Sequence, residues 1–170
     1  MADKLKPLLE AARKSSWGMK KLNFIMHRMI PFNRPHRIEL METELTRVSA
    51  KIPYIKKNFN HIKGTHACGL ATVGEYCAGL LLLSNLSPDK YRIIMRSLKA
   101  EYHYQAKMDA IATYELSESD LTKHIVDPLK KESAIYHTCN VEVLDTDKNK
   151  IANIITEWQI KSWDKVKLKV

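Results

Sequence analysis

The sequence predicts an α+β domain in which a curved antiparallel sheet of about six strands wraps around one central apolar helix, at about residues 66–86. Three observations predict it. Apolar and polar residues alternate with period two in several separate runs. Those runs come mostly in adjacent pairs, which implies hairpins and therefore antiparallel pairing. The segment His66–Leu86 is apolar nearly all round, so it must be surrounded by protein. One strongly curved sheet can supply that cover.

The N-terminal residues 1–33 are predicted as an amphipathic helical segment, with residues 34–170 as one globular unit. Leu5, Leu8, Leu9 and Ala12 recur at helical spacing, as do Leu22, Ile25, Met26 and Met29. Gly18 is expected to separate two helices, and Pro31 and Pro35 to end the section. From Arg37 the period becomes two. Ile38 and Leu40 share one parity, Thr43 and Leu45 the other, so a bend or bulge is expected near Met41–Glu42. Val48, Ala50 and Ile52 form the next strand, which Pro53 places at an edge or ends.

Ala, Gly and Leu dominate the buried helix. Its small residues Ala67, Gly69, Ala71, Gly74, Ala78 and Gly79 would let strands approach its backbone. Beyond Pro88, Leu98, Ala100, Tyr102, Tyr104 and Ala106 alternate as a strand, and Ala110–Leu116 reads as its hairpin partner. Ser117–Lys131 reads as a short helix with Ser117 and Asp120 at capping-box spacing. Cys139, Val141 and Val143 then pair across the turn-prone Asp145–Lys150 with Ile154, Thr156, Trp158 and Ile160.

A length of 170 residues with 45% hydrophobic and 28% charged content suits one globular domain. The three cysteines, Cys68, Cys77 and Cys139, are an odd number without a CxxC, which makes a poor disulfide framework and a poor zinc site. A reducing, cytoplasmic setting is expected, with no metal. Asp3, Lys4, Lys6 and Glu10 interrupt any N-terminal secretory pattern. Glu75 divides the most apolar stretch into uncharged runs at 64–74 and 76–88, each short of the roughly 18 residues of a bilayer span.

The net charge of +9 is uneven. Residues 1–37 hold nine Lys and Arg against Asp3 and Glu10, which leaves only +2 for the rest. Peripheral membrane contact through residues 1–30 is one reading of this basic stretch; a solvated helix face packed on the domain is the leading one. No aromatic platform or recognition motif suggests nucleic acid.

The chemistry concentrates between Asn60 and Glu75. His66 and Ala67 stand at the start of the buried helix, where backbone N–H groups lack internal partners and carry partial positive charge. Such groups can hold a carbonyl oxygen that becomes negative during acyl transfer. Glu75 is costly to bury as an ion, and desolvation should raise its pKa toward that of a general base. Nine residues of helix separate His66 from Glu75, about 900° of rotation and roughly 13 Å of rise. The two therefore face opposite ways, so one substrate can meet both only across a two-fold interface.

Paired strands, Asn60 six residues before His66, and a buried helix with an acid nine residues after it resemble the hot-dog-fold acyl-CoA thioesterases. The similar branch is that of the phenylacetyl-CoA and 4-hydroxybenzoyl-CoA thioesterases. From Arg34 to about Trp163 the chain is more similar still to an uncharacterised family of that superfamily, known only as a domain of unknown function. The resemblance implies a hot-dog fold, a homodimer or a dimer of dimers, and hydrolysis of an acyl-CoA thioester with no cofactor. It implies Glu75 as nucleophile or general base, the Ala67 N–H as oxyanion donor, Asn60 orienting water or substrate, and His66 shaping the oxyanion end. Cys68, Gly69, Gly79 and Lys63 would line the substrate site, with Lys56, Lys57 and Lys99 as further candidates for CoA phosphates. The chain departs from the family at His66-Ala67-Cys68-Gly69, where the pattern is His-Gly-Gly, and at Gly79, where a hydroxyl residue can help.

The plainer readings are that Glu75 pairs with a Lys, Arg or Tyr of the sheet, that His66 caps the helix, that Asn60 shapes a turn, and that Cys68 and Cys77 are core residues. The alternative function is a non-catalytic binder of acyl-CoA or lipid.

Overall fold

Two helices, α1 (Ala2–Lys14) and α2 (Ser16–Met29), open the chain in the computed structural model, which describes residues 2–166. The break between them falls at Ser15, not at Gly18. Ser15 is extended, and its hydroxyl accepts the Gly18 N–H at 3.0 Å, capping α2. Gly18 is needed for another reason: a Cβ there would collide with the Ala11 carbonyl, so its absence lets the two helices pack closely. Leu5, Leu9, Ala12, Leu22 and Met26 are buried and join the main core. The apolar stripe of the N-terminal helices therefore packs on the sheet domain.

A single turn, α3 (Asn33–His36), leads through Arg37 in the left-handed region (φ 51°) into the sheet. The strands are β1 (Glu39–Thr43), β2 (Arg47–Ile52), β3 (Tyr91–Tyr102), β4 (Ala110–Glu115), β5 (Ala134–Asp145) and β6 (Lys150–Ser162). They form one antiparallel sheet in the order β1-β2-β4-β5-β6-β3. The pairing of β1 with β2 shifts register between Leu40 and Glu42, which is the bulge expected from the change of parity. Pro53 follows the last residue of β2, which is an interior strand.

The long helix α4 (Ala67–Asn85) lies against β2, β4 and β5, and also touches β3 and β6. By length and composition it could cross a membrane, but here it is the core helix of the sheet. Its glycines allow close strand approach: a Cβ at Gly74 would stand 2.7 Å from Ile154, and one at Gly69 would stand 2.8 Å from Ile52. Inward-facing Val48, Ala50, Ala112, Val141, Val143 and Ile154 complete the core around it. Between β4 and β5 lie α5 (Glu118–Leu121), a π-helical turn at Thr122–Val126 and α6 (Asp127–Lys131). Ser117 caps α5 by accepting the Asp120 N–H at 3.0 Å.

One expected hairpin is absent. β3 and β4 are consecutive in sequence, yet β3 pairs with β6 at one edge while β4 lies between β2 and β5. The β3 strand also begins earlier than its alternation suggested and ends at Tyr102, leaving Tyr104 and Ala106 in the connection. That connection crosses from one sheet edge to its middle. The β5–β6 hairpin forms as expected, with the Asp145 carboxylate accepting the Asp147 and Asn149 N–H groups in its turn.

The two sheet edges differ. Side chains of α1 and α2 close the free edge of β1. Asn23 accepts the Leu40 N–H at 2.7 Å and donates to the Leu40 carbonyl at 2.9 Å. His27 donates to the Ile38 carbonyl and Arg13 to the Thr43 carbonyl. The other edge is β3, 12 residues long, with Ile94, Met95, Leu98 and Tyr102 exposed.

Candidate active site

The start of α4 is set by Asn58, a buried residue that sequence reasoning passed over. Its amide nitrogen donates to the carbonyls of His36 and Pro53, its side-chain oxygen accepts from His36 Nδ1 at 2.9 Å, and its backbone carbonyl accepts the His66 N–H at 2.7 Å. A polar side chain among loop residues carries no sign of this in sequence. Its role follows only from its 3% exposure and these hydrogen bonds.

Asn60 organises the next loop. Its side-chain oxygen accepts the Ile62 N–H at 3.0 Å and the Gly64 N–H at 2.9 Å. Lys63 sits in the same loop with φ 59° and an exposed side chain, and its carbonyl accepts the Tyr54 hydroxyl. His66 is extended, and its Nδ1 accepts the Cys68 N–H at 3.1 Å, so it is the N-cap of α4. The Ala67 N–H, exposed beside it, makes no hydrogen bond among the described residues, while the Ala67 carbonyl accepts the Tyr102 hydroxyl. Cys68 is exposed and not a core residue; Cys77 and Cys139 are buried.

A cavity of about 180 Å³ lies at this end of α4, lined by His66, Cys68, Gly69, Thr72, Phe32 and Lys57 among others. A second, of about 170 Å³, lies farther along the helix and contains Glu75 and Gly79. Its other walls are Met26, Ile30, Asn33, Tyr76, Leu80, Leu83, Ile93 and Trp158. The two cavities share no lining residue, as the nine-residue offset between His66 and Glu75 requires. A wider cleft of about 450 Å³ between α1 and the end of α4 has Lys6, Glu10, Ser84, Asn85, Ser87 and Asp89 as its polar lining.

Glu75 is half-buried and has neither an ion pair nor a hydrogen bond among the described residues. Burial pushes its carboxyl above the ordinary carboxylate value. With no cation beside it, nothing offsets that desolvation. Gly79 does not open free space: a Cβ there would stand 2.9 Å from the Trp158 ring and 3.6 Å from Glu75 Oε1. Trp158 is fixed in turn, since its indole N–H donates to the Thr156 hydroxyl at 2.8 Å. Of the lysines singled out as phosphate candidates, Lys99 is paired with Glu101 at 2.7 Å, and Lys57 lines the cavity at the start of α4.

Asn33 was not anticipated as a site residue. Its side chain is 3% exposed and forms part of the Glu75 cavity wall, and its Oδ1 is buried without a partner. In sequence it reads as a turn residue between Pro31 and Pro35.

Three solved structures place this architecture among known proteins. A protein of unknown function from Pseudomonas aeruginosa, described as a probable thioesterase, superposes with a TM-score of 0.76 at 18% identity, over 82% of this chain and 93% of its own. A thioesterase enzyme from Staphylococcus aureus gives 0.63 at 14%, over 77% and 98%; it was solved once with a glutamine and once with a glutamate replaced by alanine. A thioesterase from Haemophilus influenzae gives 0.66 at 9%, over 85% and 90%. No curated protein matches the chain. At these identities the likeness is one of fold, the hot-dog fold of thioesterases. The profile of one family, a domain of unknown function (DUF4442), matches residues 18–161, and the chain belongs to that family.

Proposed function

We propose that this protein hydrolyses an acyl thioester, with acyl-CoA as the substrate, and that Glu75 is the general base or nucleophile. The observation that carries this reading is Glu75 itself: an unpaired carboxylate, its pKa raised by burial, in a mostly apolar cavity on an otherwise core-forming helix. Structural carboxylates that deep are normally paired. The Ala67 N–H, free at the positive end of α4, is suited to an oxyanion. The glutamine and glutamate replaced in the S. aureus thioesterase stand fifteen positions apart, which is also the separation of Asn60 and Glu75.

The active unit in this reading is a homodimer joined along β3. Support comes from the contrast between the edges: β1 is closed by Asn23, His27 and Arg13, whereas β3 is long and open and exposes Ile94, Met95, Leu98 and Tyr102 beside Arg96 and Lys99. Glu75 of one protomer would then meet the Ala67 N–H of its partner. Lys57 and Lys63 would stand outside, available to phosphate groups of CoA.

The test is hydrolysis across a panel of acyl-CoAs by wild type, Glu75→Gln and Glu75→Ala. Loss of about 10²-fold or more in kcat is expected of both, in the range of general-base catalysis. Unchanged hydrolysis in both would reject the mechanism. If wild type binds acyl-CoA without turnover and purifies with intact acyl groups, the non-catalytic binder is the better account.

A further inference from the structure

Only one face of α2 is used by the fold. Its inner face carries Gly18, Leu22 and Met26, all buried, and Met26 also walls the Glu75 cavity. Its outward face carries Trp17, Lys20, Lys21, Phe24 and Arg28, all exposed. At 100° per residue these five fall within an arc of about 100°. We infer that this outward face docks on a bilayer containing anionic lipid, with α2 lying along the headgroups. The surface is distinct from both cavities, and its role stands whether or not acyl-CoA is hydrolysed.

Charge complementarity points to an anionic partner. Between Glu10 and Glu39 the sequence has no Asp or Glu, yet it holds Arg13, Lys14, Lys20, Lys21, Arg28, Arg34 and Arg37. None of Lys14, Lys20, Lys21 and Arg28 makes an ion pair among the described residues. An anionic leaflet attracts such a segment, and each basic group near its surface adds to the attraction.

The aromatic side chains make that partner a bilayer. Trp17 is 71% and Phe24 59% exposed, and Phe32, in the turn beyond α2, is exposed as well. The Lys21 ammonium lies 5.7 Å from the Trp17 ring centre, and the Arg28 guanidinium 4.6 Å from that of Phe24. Each ring thus has a cation at its side. At a membrane surface the ring enters the acyl boundary while the cation stays level with the phosphates. The inner face keeps its place in the core throughout, so docking needs no unfolding.

Other occupants fit less well. A two-fold contact between copies of this face would set like charges against each other. A nucleic-acid strand needs a basic groove with rings on which bases stack. The open cleft of about 510 Å³ beside α2, which Lys20 shares with Arg13 and Lys14, is also lined by Glu39 and contains no aromatic side chain.

The test is co-sedimentation of the whole protein with vesicles of phosphatidylcholine alone, or with about 30% phosphatidylglycerol, at about 0.1 M salt. Wild type should partition at least about tenfold more strongly onto the anionic vesicles. Lys20→Gln/Lys21→Gln/Arg28→Gln and Trp17→Ser/Phe24→Ser should each lose about tenfold or more. Lys107→Gln/Lys123→Gln/Lys131→Gln removes the same charge from exposed positions elsewhere and should stay within about threefold of wild type. All the substituted side chains are exposed, so melting temperatures should match wild type.

No partition of wild type onto anionic vesicles overturns the inference. So does an equal loss in the control triple variant, which would make net charge the cause, or full binding by Trp17→Ser/Phe24→Ser. Tighter binding to a single-stranded oligonucleotide than to vesicles, lost in the same α2 variants, would assign the face to nucleic acid instead. A change of oligomeric state in those variants would assign it to a second copy. Turnover of soluble acyl-CoA in the α2 variants should equal that of wild type, which separates this inference from the hydrolytic one.

Discussion

Asn33 and Glu75 come from different ends of the site sequence and line one small cavity, and neither side chain has a hydrogen-bond partner among the described residues. One is a carboxylate whose charge is disfavoured by burial; the other is an amide with unused hydrogen-bonding capacity.

The raised Glu75 pKa makes a prediction for stability as well as rate. A carboxyl whose folded-state pKa exceeds its unfolded value of about 4.5 contributes stability fully at lower pH and loses it as pH rises through the folded value. Glu75→Gln should therefore be more stable than wild type at neutral pH, with the difference vanishing below about pH 4. Urea unfolding at pH 4 and pH 7.5 measures this; a variant less stable at pH 7.5 would show that Glu75 has a partner in the fold. In wild type, hydrolysis should rise with pH through the same folded-state pKa.

Gly79 and Trp158 define a second prediction. Gly79→Ala brings a Cβ within 2.9 Å of an indole ring that Thr156 prevents from withdrawing. Overpacking of this kind costs about 1–3 kcal/mol. The urea midpoint should fall accordingly, and whatever binds in the Glu75 cavity should bind less tightly.

The edges of the sheet give a third. Leu98→Lys or Met95→Lys places charge on the open β3 edge, and light scattering should show a monomer with an unchanged far-ultraviolet spectrum. Hydrolysis should disappear with the dimer. Retention of a dimer by both variants would mean that copies associate elsewhere.

His137, the cross-strand partner of Trp158, provides a fourth. It hydrogen-bonds the Tyr114 hydroxyl at 3.1 Å, and its pKa is lowered by burial, with a smaller contribution from His124. A histidine with a depressed folded-state pKa contributes stability above its unfolded value of about 6.5 and loses it as pH falls toward the folded value. His137→Gln should remove the part of the acid destabilisation that begins near pH 6.5. An unaltered pH dependence of the urea midpoint in that window would contradict it.

What could be read from residues alone follows a physical divide. The α4 segment was legible because a helix apolar on every side has no surface to show water, and its small residues predict close strand approach, which Ile154 and Ile52 make. The bulge at Met41 was legible because a parity switch is local. The partner of β3 was not, because alternation fixes a strand's two faces without naming its neighbour; proximity in sequence pointed to β4, and the sheet chose β6. Gly18 looked like a helix breaker, yet the closer fit of α1 on α2 is what requires it. Within the site, Glu75 stood out as a charge in an apolar run. Asn33 could not stand out, since its burial depends on α2, α4 and β6 meeting around it.

The central claim is that each site is shared, with Glu75 from one protomer and the Ala67 N–H from its partner. Ala67→Pro deletes that N–H at a position where proline fits, since it is the first helical residue and His66 before it is already extended. Glu75→Gln and Ala67→Pro should each be inactive alone. Unfolded together and refolded, they should form mixed dimers with one intact site each, and random assortment restores about one quarter of wild-type turnover. Mixed dimers that form but remain inactive would place both groups in one chain's site and contradict the account.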